Sequence, residues 1–271
     1  MSNLRNPYDV FDEALQKSFE NNLLAALLED IGNGDLTGRL VPEGAPVQAR
    51  VLVREDAVLC GAPWFEGVML ALDIGLEIDW HYAEGDLMAK DSVVCTITGP
   101  ARALLTAERT ALNFLQMMSG VATATRRYVD VVAGTKAAIL DTRKTLPGLR
   151  LALYDGILIK ENHIAAAGGI TAALAAADAL NAGVPVQVEV ESIKELQEAL
   201  AAGASSILLD NFTLADMREA VGITAGRAKL EASGGVNMES VRAIAETGVD
   251  RISIGSLTKD LHATDYSLRI V

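Results

Sequence analysis

Six apolar runs in the second half of the chain each end in residues able to handle anions. "AILDTRK" closes in Arg143 and Lys144, "GILIK" runs into Lys160, Glu161 and Asn162, and "VQVEVES" carries Glu189 and Glu191. "SILLD" ends in Asp210 and is followed by Asn211, "AKLEAS" leads into Ser233, Gly234 and Gly235, and "RISIGS" ends in Gly255 and Ser256. An arginine fork grips a carboxylate through two hydrogen bonds, and a lysine supplies a compact positive charge. Glu189 and Asp210 are hard oxygen donors suited to Mg²⁺. Glycine-rich turns that lead toward a helix expose backbone N–H groups able to ring a phosphate. Together these residues suit a ligand with more than one anionic group, one of them a phosphate, held beside a divalent cation.

Taken singly, each has an ordinary reading. A lysine at a strand end is commonly a solvated loop residue. Asp210 could be a turn or helix cap, and Asn237 in "SGGVN" a cap for the helix after it. His163 could be a satisfied polar residue, and Arg109 a surface arginine. Repetition favours the functional reading, because surface decoration does not place such residues at the end of one strand after another.

The elements that must position these residues follow from the spacing. After residue 137 short apolar runs alternate with helical patterns such as "ITAALAAADAL", "IKELQEALAAG", "TLADMREAV" and "MESVRAIAETG". Strand, helix, strand at this spacing implies parallel strands with right-handed crossovers. At least six of them, with no Gly-x-Gly-x-x-Gly opening, favour a closed or nearly closed, TIM-like α/β barrel over a doubly wound sheet. Side chains alternate along a strand. Val186, Val188 and Val190 therefore share one face, and Gln187, Glu189 and Glu191 the other. Lys229, Glu231 and Ser233 lie opposite Leu230 and Ala232, and Asp141 shares a face with Arg143. The apolar faces must meet the helices, so the polar faces point into the barrel. Barrels of this type place their sites at the C-terminal strand ends.

The first half reads differently. A helix over residues 9–30 presents Phe11, Leu15, Phe19, Leu23, Leu24, Leu27 and Leu28 at helical spacing. "GNGDLTG" ends it. Strand patterns fill residues 47–98, interrupted by a helical "PWFEGVMLALD". Residues 101–133 read as two helices broken near Ser119 and Gly120.

Half of the 271 residues are apolar, enough for one large or two medium domains. A formal net charge of −13 argues against nucleic-acid and acidic membrane partners. No apolar run is long enough to span a bilayer, and "MSNLRNPYDVFDEAL" lacks a signal-peptide layout. Cys60 and Cys95 sit inside apolar runs and read as buried thiols, so a cytoplasmic protein is expected.

The motifs "EDIGNGDLTG", "AERTALNFLQMMSGVAT", "ILDTRKTLPGLR", "LYDGILIKENHI", "VEVES", "ILLDNF", "EASGGVN" and "ISIGSLTKD", in this order over nearly the whole chain, resemble quinolinate phosphoribosyltransferase. The resemblance implies an N-terminal α/β sandwich domain, residues 1–116, and a catalytic open barrel, residues 117–258. The tail, residues 259–271, would pack back on the first domain. It implies quinolinate and phosphoribosyl pyrophosphate as substrates, Mg²⁺ as cofactor, and a homodimer in which Arg109 enters the neighbouring subunit's site. Lys144, Lys160, Glu189 and Asp210 match catalytic positions, and Glu189 and Asp210 would hold the metal. Arg109, Thr142, Arg143, Lys144, Lys160, Asn162, His163, Glu189 and Asp210 match the substrate site. Ser233, Gly234, Gly235, Asn237, Gly255 and Ser256 match the phosphate site.

One departure stands out. Between "GLRLA" and "LYDG" the family carries a glycine-rich run closing in Asn-His-Arg, which this sequence lacks. Twelve residues separate Lys144 from Ile157, the lower limit for a crossover between parallel strands. A segment missing from the written sequence is the favoured explanation, and a true deletion, which would leave a binder without activity, the other. A related pyridine-carboxylate phosphoribosyltransferase and a Schiff-base aldolase using Lys160 are the remaining alternatives.

Overall fold

A computed structural model describes residue 11 and residues 13–32, 34–42, 44–142 and 156–271. Its contacts divide the chain into two units, residues 1–126 with 261–271, and residues 127–260. The expected division between residues 116 and 117 falls inside a helix, α3 (Ala101–Val131), and the last eleven residues group with the first unit.

The first unit is built on an antiparallel sheet. β1 (Pro46–Val53) pairs with β5 (Val93–Pro100), β5 with β3 (Glu77–Trp80), and β1 on its other side with β12 (Tyr266–Ile270). A two-stranded ladder joins β2 (Ala57–Val58) to β4 (Leu87–Met88). Strand alternation puts Ala49, Val51 and Val53 into the core, where they meet Phe65, Val68 and Met69 of α2 (Ala62–Leu72) and Leu104, Ala107, Ala111 and Leu115 of α3. α1 (Glu13–Ile31) buries Phe19 and Leu23 and packs Phe11, Leu15 and Leu27 beside them, one residue every four. Leu24 and Leu28, expected on the same stripe, are instead 60% and 63% exposed.

α3 is one helix where the sequence suggested two. Ser119 and Gly120 are a contact point inside it. The Ser119 hydroxyl is fully buried; it donates to Cys60 O and accepts from Cys60 N and from the Tyr266 hydroxyl. A Cβ on Gly120 would overlap the His262 carbonyl, so the glycine lets the C-terminal segment cross the helix closely. Both cysteines are free, and Cys95 is buried.

The second unit carries a six-stranded, all-parallel sheet in the order β6 (Ala138–Leu140), β11 (Arg251–Ser253), β10 (Lys229–Ser233), β9 (Ser206–Asp210), β8 (Val186–Val190), β7 (Ile157–Ile159). Chain order and sheet order agree from β7 to β11, as right-handed crossovers require. β6 and β7 stand at the two edges, so the barrel is open there. Val188, Val190, Ile207, Leu209, Leu230, Ala232 and Ile252 are buried. Helices α5 (Ile170–Ala179), α6 (Ile193–Ala201), α7 (Leu214–Thr224) and α8 (Val241–Ala245) lie between the strands in sequence. A short α4 (Glu161–Ala167), absent from the sequence reading of the segment after "GILIK", starts directly after Lys160. Among the described residues no helix is long and apolar enough to cross a membrane.

Candidate active site

Around the C-terminal strand ends the polar faces meet. Lys160 Nζ lies 3.3 Å from Glu189 Oε2 and links the ends of β7 and β8. Glu189 is 10% exposed at its side chain, and Lys160 36%. Burial pushes the Glu189 carboxyl above its ordinary range. Lys160 pulls it back, while the charges of Asp210 and Glu161 push it further up. Asp210 follows at the end of β9, opposite Ser233 of β10. It is not the cap of α7, which is capped by Thr213 in a reciprocal pairing with Asp216. Its carboxylate instead accepts from Asn211 Nδ2 at 2.8 Å. Both acids stand at C-terminal strand ends, and among the described residues Lys160 is the basic partner of Glu189.

The glycine loops complete the rim, each in a different way. Gly234 has a φ of 105°, and a Cβ there would overlap the Asn211 side chain, so this glycine is required by the approach of the β9 loop. Gly235, with a φ of 59°, has open space beside it and an unobstructed backbone. Asn237 Oδ1 accepts from Glu239 N and Ser240 N, both at 3.0 Å, the capping role open to it from sequence. Gly255 lies beside Thr142, closing the rim between β11 and β6. The Ser256 hydroxyl stands 3.5 Å from the Tyr128 hydroxyl. His163 Nδ1 accepts from Lys160 N at 3.0 Å, which caps α4 and fixes the backbone that carries Lys160. Asn162 donates to Glu161 at 2.9 Å. Arg143 and Lys144 lie outside the described residues, as does nearly all of the short connection after them.

Below the rim the barrel interior holds a buried carboxylate whose partners the sequence does not reveal. Glu231, 7% exposed, accepts from Gln187 Nε2 at 2.9 Å and from the buried Ser253 hydroxyl. The network ties β8, β10 and β11 together beneath Glu189, Ser233 and Gly255. Strand alternation showed that Glu231 points inward; its partners lie 44 and 22 residues away, beyond any local pattern.

Arg109 belongs to the first unit, on α3. It lines a cleft of about 620 Å³ with Asp30, Asp35, Leu36, Leu40 and Thr106. Its Nε donates to Asp30 Oδ1 at 2.5 Å, and its side chain is 73% exposed. Asp35 accepts from Thr106 Oγ1 at 2.8 Å and Thr37 N at 2.9 Å. Hydrogen bonds from Gly38, Thr106 and Thr37 hold its carboxyl below the usual range against a small opposing effect of burial.

An open parallel barrel with lysine, carboxylates and glycine loops at its C-terminal mouth is the class of α/β-barrel protein that takes anionic, phosphate-bearing ligands. Comparison with known proteins narrows the class. Residues 35–119 match the quinolinate phosphoribosyl transferase N-terminal domain, and residues 121–269 match the C-terminal domain. The chain is 38% identical to a probable nicotinate-nucleotide pyrophosphorylase (carboxylating) of Bacillus subtilis, over 90% of each chain. It is 39% identical to the Mycobacterium leprae nicotinate-nucleotide pyrophosphorylase (carboxylating), over 90% of this chain and 94% of that one. The solved nicotinate-nucleotide pyrophosphorylase of Francisella tularensis superposes with a TM-score of 0.91 at 39% identity, covering 94% of this chain and 96% of that one. The chain belongs to the quinolinate phosphoribosyl transferase family.

Proposed function

We infer that the chain transfers the phosphoribosyl group of phosphoribosyl pyrophosphate to quinolinate with decarboxylation, yielding nicotinate mononucleotide, pyrophosphate and CO₂ for NAD biosynthesis. The observation that carries this reading is that both family domains match in order and span residues 35–269 almost without a break. The mouth fits the chemistry. The pyridine nitrogen attacks the ribose anomeric carbon as its bond to pyrophosphate breaks, and positive charge builds on the sugar. Carboxylates poorly supplied with cations, such as Glu189 and Asp210, stabilise that charge. Lys160 lies where it can hold an anionic group. In the product of transfer the carboxylate beside the cationic ring nitrogen leaves as CO₂, the nitrogen's charge stabilises the electron pair left on the adjacent ring carbon, and a proton from solvent takes the carboxylate's place. The enzyme's share is therefore chiefly binding and orientation.

Mg²⁺ fits Glu189 and Asp210. Among the described residues no three His, Cys, Asp or Glu side chains form a protein-only cage. Mg²⁺ needs none, because it keeps water and takes substrate phosphates beside one or two carboxylates. Bound there, it would neutralise the departing pyrophosphate. Lys160 argues against the aldolase reading, because its amine is paired with Glu189 at 3.3 Å, unlike the desolvated or cation-flanked amine a Schiff-base enzyme requires. Gly235 leaves open space for a phosphate, with Ser233 and Ser256 as flanking donors. A reducing, cytoplasmic setting agrees with two free cysteines.

The reading includes a homodimer whose sites each take Arg109 from the neighbouring subunit. Exposed apolar side chains on the first unit support it: Leu24, Leu28, Leu36 and Leu40 are all at least 60% exposed, and Leu36 and Leu40 line the same cleft as Arg109. Complementation tests it. Arg109→Ala and Lys160→Ala homodimers should both be inactive. After subunit exchange about half the dimers are mixed, and each mixed dimer has one intact site, so roughly a quarter of wild-type activity should return. If subunits exchange and no activity returns, the sites are not shared through Arg109.

A further inference from the structure

We propose that Asp30 is a positioning residue for the active site: it fixes the guanidinium plane of Arg109 so that the outer Nη fork is presented to a substrate carboxylate. The proposal rests on the reading of Arg109 as a substrate-binding residue.

Asp30 sits in the last turn of α1, an end that carries no basic residue. A carboxylate there faces the negative end of the helix dipole, so stabilising its own helix does not account for its presence. Its two oxygens serve two partners from α3. Oδ2 accepts from Thr110 Oγ1 at 3.0 Å, and Oδ1 accepts from Arg109 Nε at 2.5 Å. Exposure rises along this series. Thr110 is 3% exposed, the Asp30 side chain 19%, and the Arg109 side chain 73%. A buried hydroxyl anchors a mostly buried carboxylate, which holds an exposed guanidinium. Neighbouring residues on a helix do not face one another, so Thr110 could not steady Arg109 directly. The carboxylate bridges them.

The choice of nitrogen matters. The guanidinium is planar and rigid, so holding Nε–H fixes the plane of the whole group. Using Nε leaves both Nη nitrogens, which donate to nothing among the described residues. They form the end-on fork that matches a carboxylate bidentately. Of the other acids of the cleft, Asp35 is occupied by Thr37 N and Thr106, and among the described residues neither it nor Glu108 accepts a hydrogen bond from that fork. Such a fork takes a carboxylate or a phosphate. On the reading of Arg109 as a substrate-binding residue its ligand is a carboxylate of the pyridine substrate, and the KM values for the two substrates separate the cases.

Two physical roles for Asp30 predict opposite signs. If it only neutralised Arg109, its removal would strengthen attraction for a dianionic substrate and lower KM for quinolinate. If it positions Arg109, removal frees a long side chain, and a misplaced fork costs about tenfold to a hundredfold in kcat/KM. The test uses the assembled enzyme and steady-state kinetics for both substrates. Asp30→Ala should raise KM for quinolinate about tenfold or more while leaving KM for phosphoribosyl pyrophosphate unchanged. Thr110→Val, which removes the anchor without changing charge, should shift the same constant in the same direction by less. It also serves if Asp30→Ala does not fold. In an Arg109→Ala background, read by equilibrium quinolinate binding because that variant is inactive, Asp30→Ala should add nothing. An unchanged or lowered KM for quinolinate in Asp30→Ala, or a further loss in the double variant, overturns the positioning role while Arg109 stands. Full activity in Arg109→Ala alone removes the reading of Arg109 and the proposal with it.

Discussion

At the two ends of the six-stranded sheet two acids of similar exposure sit in opposite circumstances. At the N-terminal end Asp250, just before β11, is 16% exposed at its side chain. Its Oδ1 receives Lys136 Nζ at 3.2 Å and Lys229 Nζ at 3.1 Å, and its Oδ2 accepts from Leu230 N at 3.0 Å. Burial alone would raise its carboxyl. The Leu230 N–H and the two lysines outweigh that and hold it below the usual carboxylate range. At the C-terminal end Glu189, 10% exposed, is paired among the described residues with Lys160, and Asp210 and Glu161 crowd it with like charge. Its carboxyl is held above the usual range. The lower acid is saturated by the protein's own donors and so contributes to stability. Among the described residues the upper acid has one cationic partner and two like-charged neighbours, so its burial outweighs its pairing. A barrel of this kind uses one end of its strands for folding and the other for chemistry.

The largest expected effect breaks the upper end. Lys160→Ala should lower kcat/KM by at least the equivalent of one charge-assisted hydrogen bond, about 1.5 to 3 kcal/mol, with little change in the thermal midpoint. Steady-state kinetics beside a melting curve reads both. Preserved activity, or a collapsed midpoint with intact kinetics below it, would make Lys160 a structural residue and erase the contrast. The mirror experiment is Asp250→Ala. The exposed lysines lose little, but the Leu230 N–H loses its acceptor. Stability should fall by about 1 to 3 kcal/mol in denaturant unfolding, and kcat/KM at 25 °C should stay at the wild-type level. Lost activity in folded Asp250→Ala protein would mean that the lower end is coupled to catalysis.

Much of this contrast was legible in the sequence, because strand alternation is local. "VQVEVES" and "AKLEAS" assigned Gln187, Glu189 and Glu231 to the inner face, and Val188, Val190, Leu230 and Ala232 are buried opposite them. The misreadings came from partners distant in sequence. Gly120 looked like a helix break because nothing near it shows that the backbone at residues 262 and 263 passes against it. Leu24 and Leu28 fit the apolar pattern of α1, yet only one stripe of that helix meets the core. Arg109 is the exposed arginine its ordinary reading describes, and what the sequence did not show is its partner Asp30, 79 residues earlier. The glycine pair read as a unit, whereas Gly234 answers a steric demand from Asn211 and Gly235 does not. The reaction itself came from the ordered set of motifs, since strand ends alone specify anion binding and not a particular transfer.

The smallest effect is the sharpest test of the contrast, because it depends on sign. The Glu189 carboxyl titrates above its unfolded value, so the fold favours the protonated form. That contribution is fully present below the unfolded pKa and is lost as pH rises through the folded one. At neutral pH the wild type therefore carries an ionised Glu189 that its surroundings disfavour. Glu189→Gln removes this charge and keeps an oxygen for Lys160. The variant should be inactive yet slightly more stable than wild type at pH 7, by less than about 1 kcal/mol, given the partly exposed Lys160 partner. The gain should shrink as pH falls through the carboxylate range. For Asp250 the sign is reversed. Its pKa is depressed, so its contribution is present above the unfolded pKa and is lost as pH falls through the folded value. Asp250→Asn should thus show a deficit at pH 7 that closes in acid. Followed from pH 7 downward in unfolding free energy, Glu189→Gln should therefore approach the wild type from above as pH falls through the Glu189 pKa, whereas the Asp250→Asn deficit should persist to about pH 4 and close only below it. If Glu189→Gln instead starts below wild type and rises in parallel with Asp250→Asn, the Lys160–Glu189 pair is as saturated as the Asp250 cluster, and the mouth holds no unmet charge for a cation to satisfy.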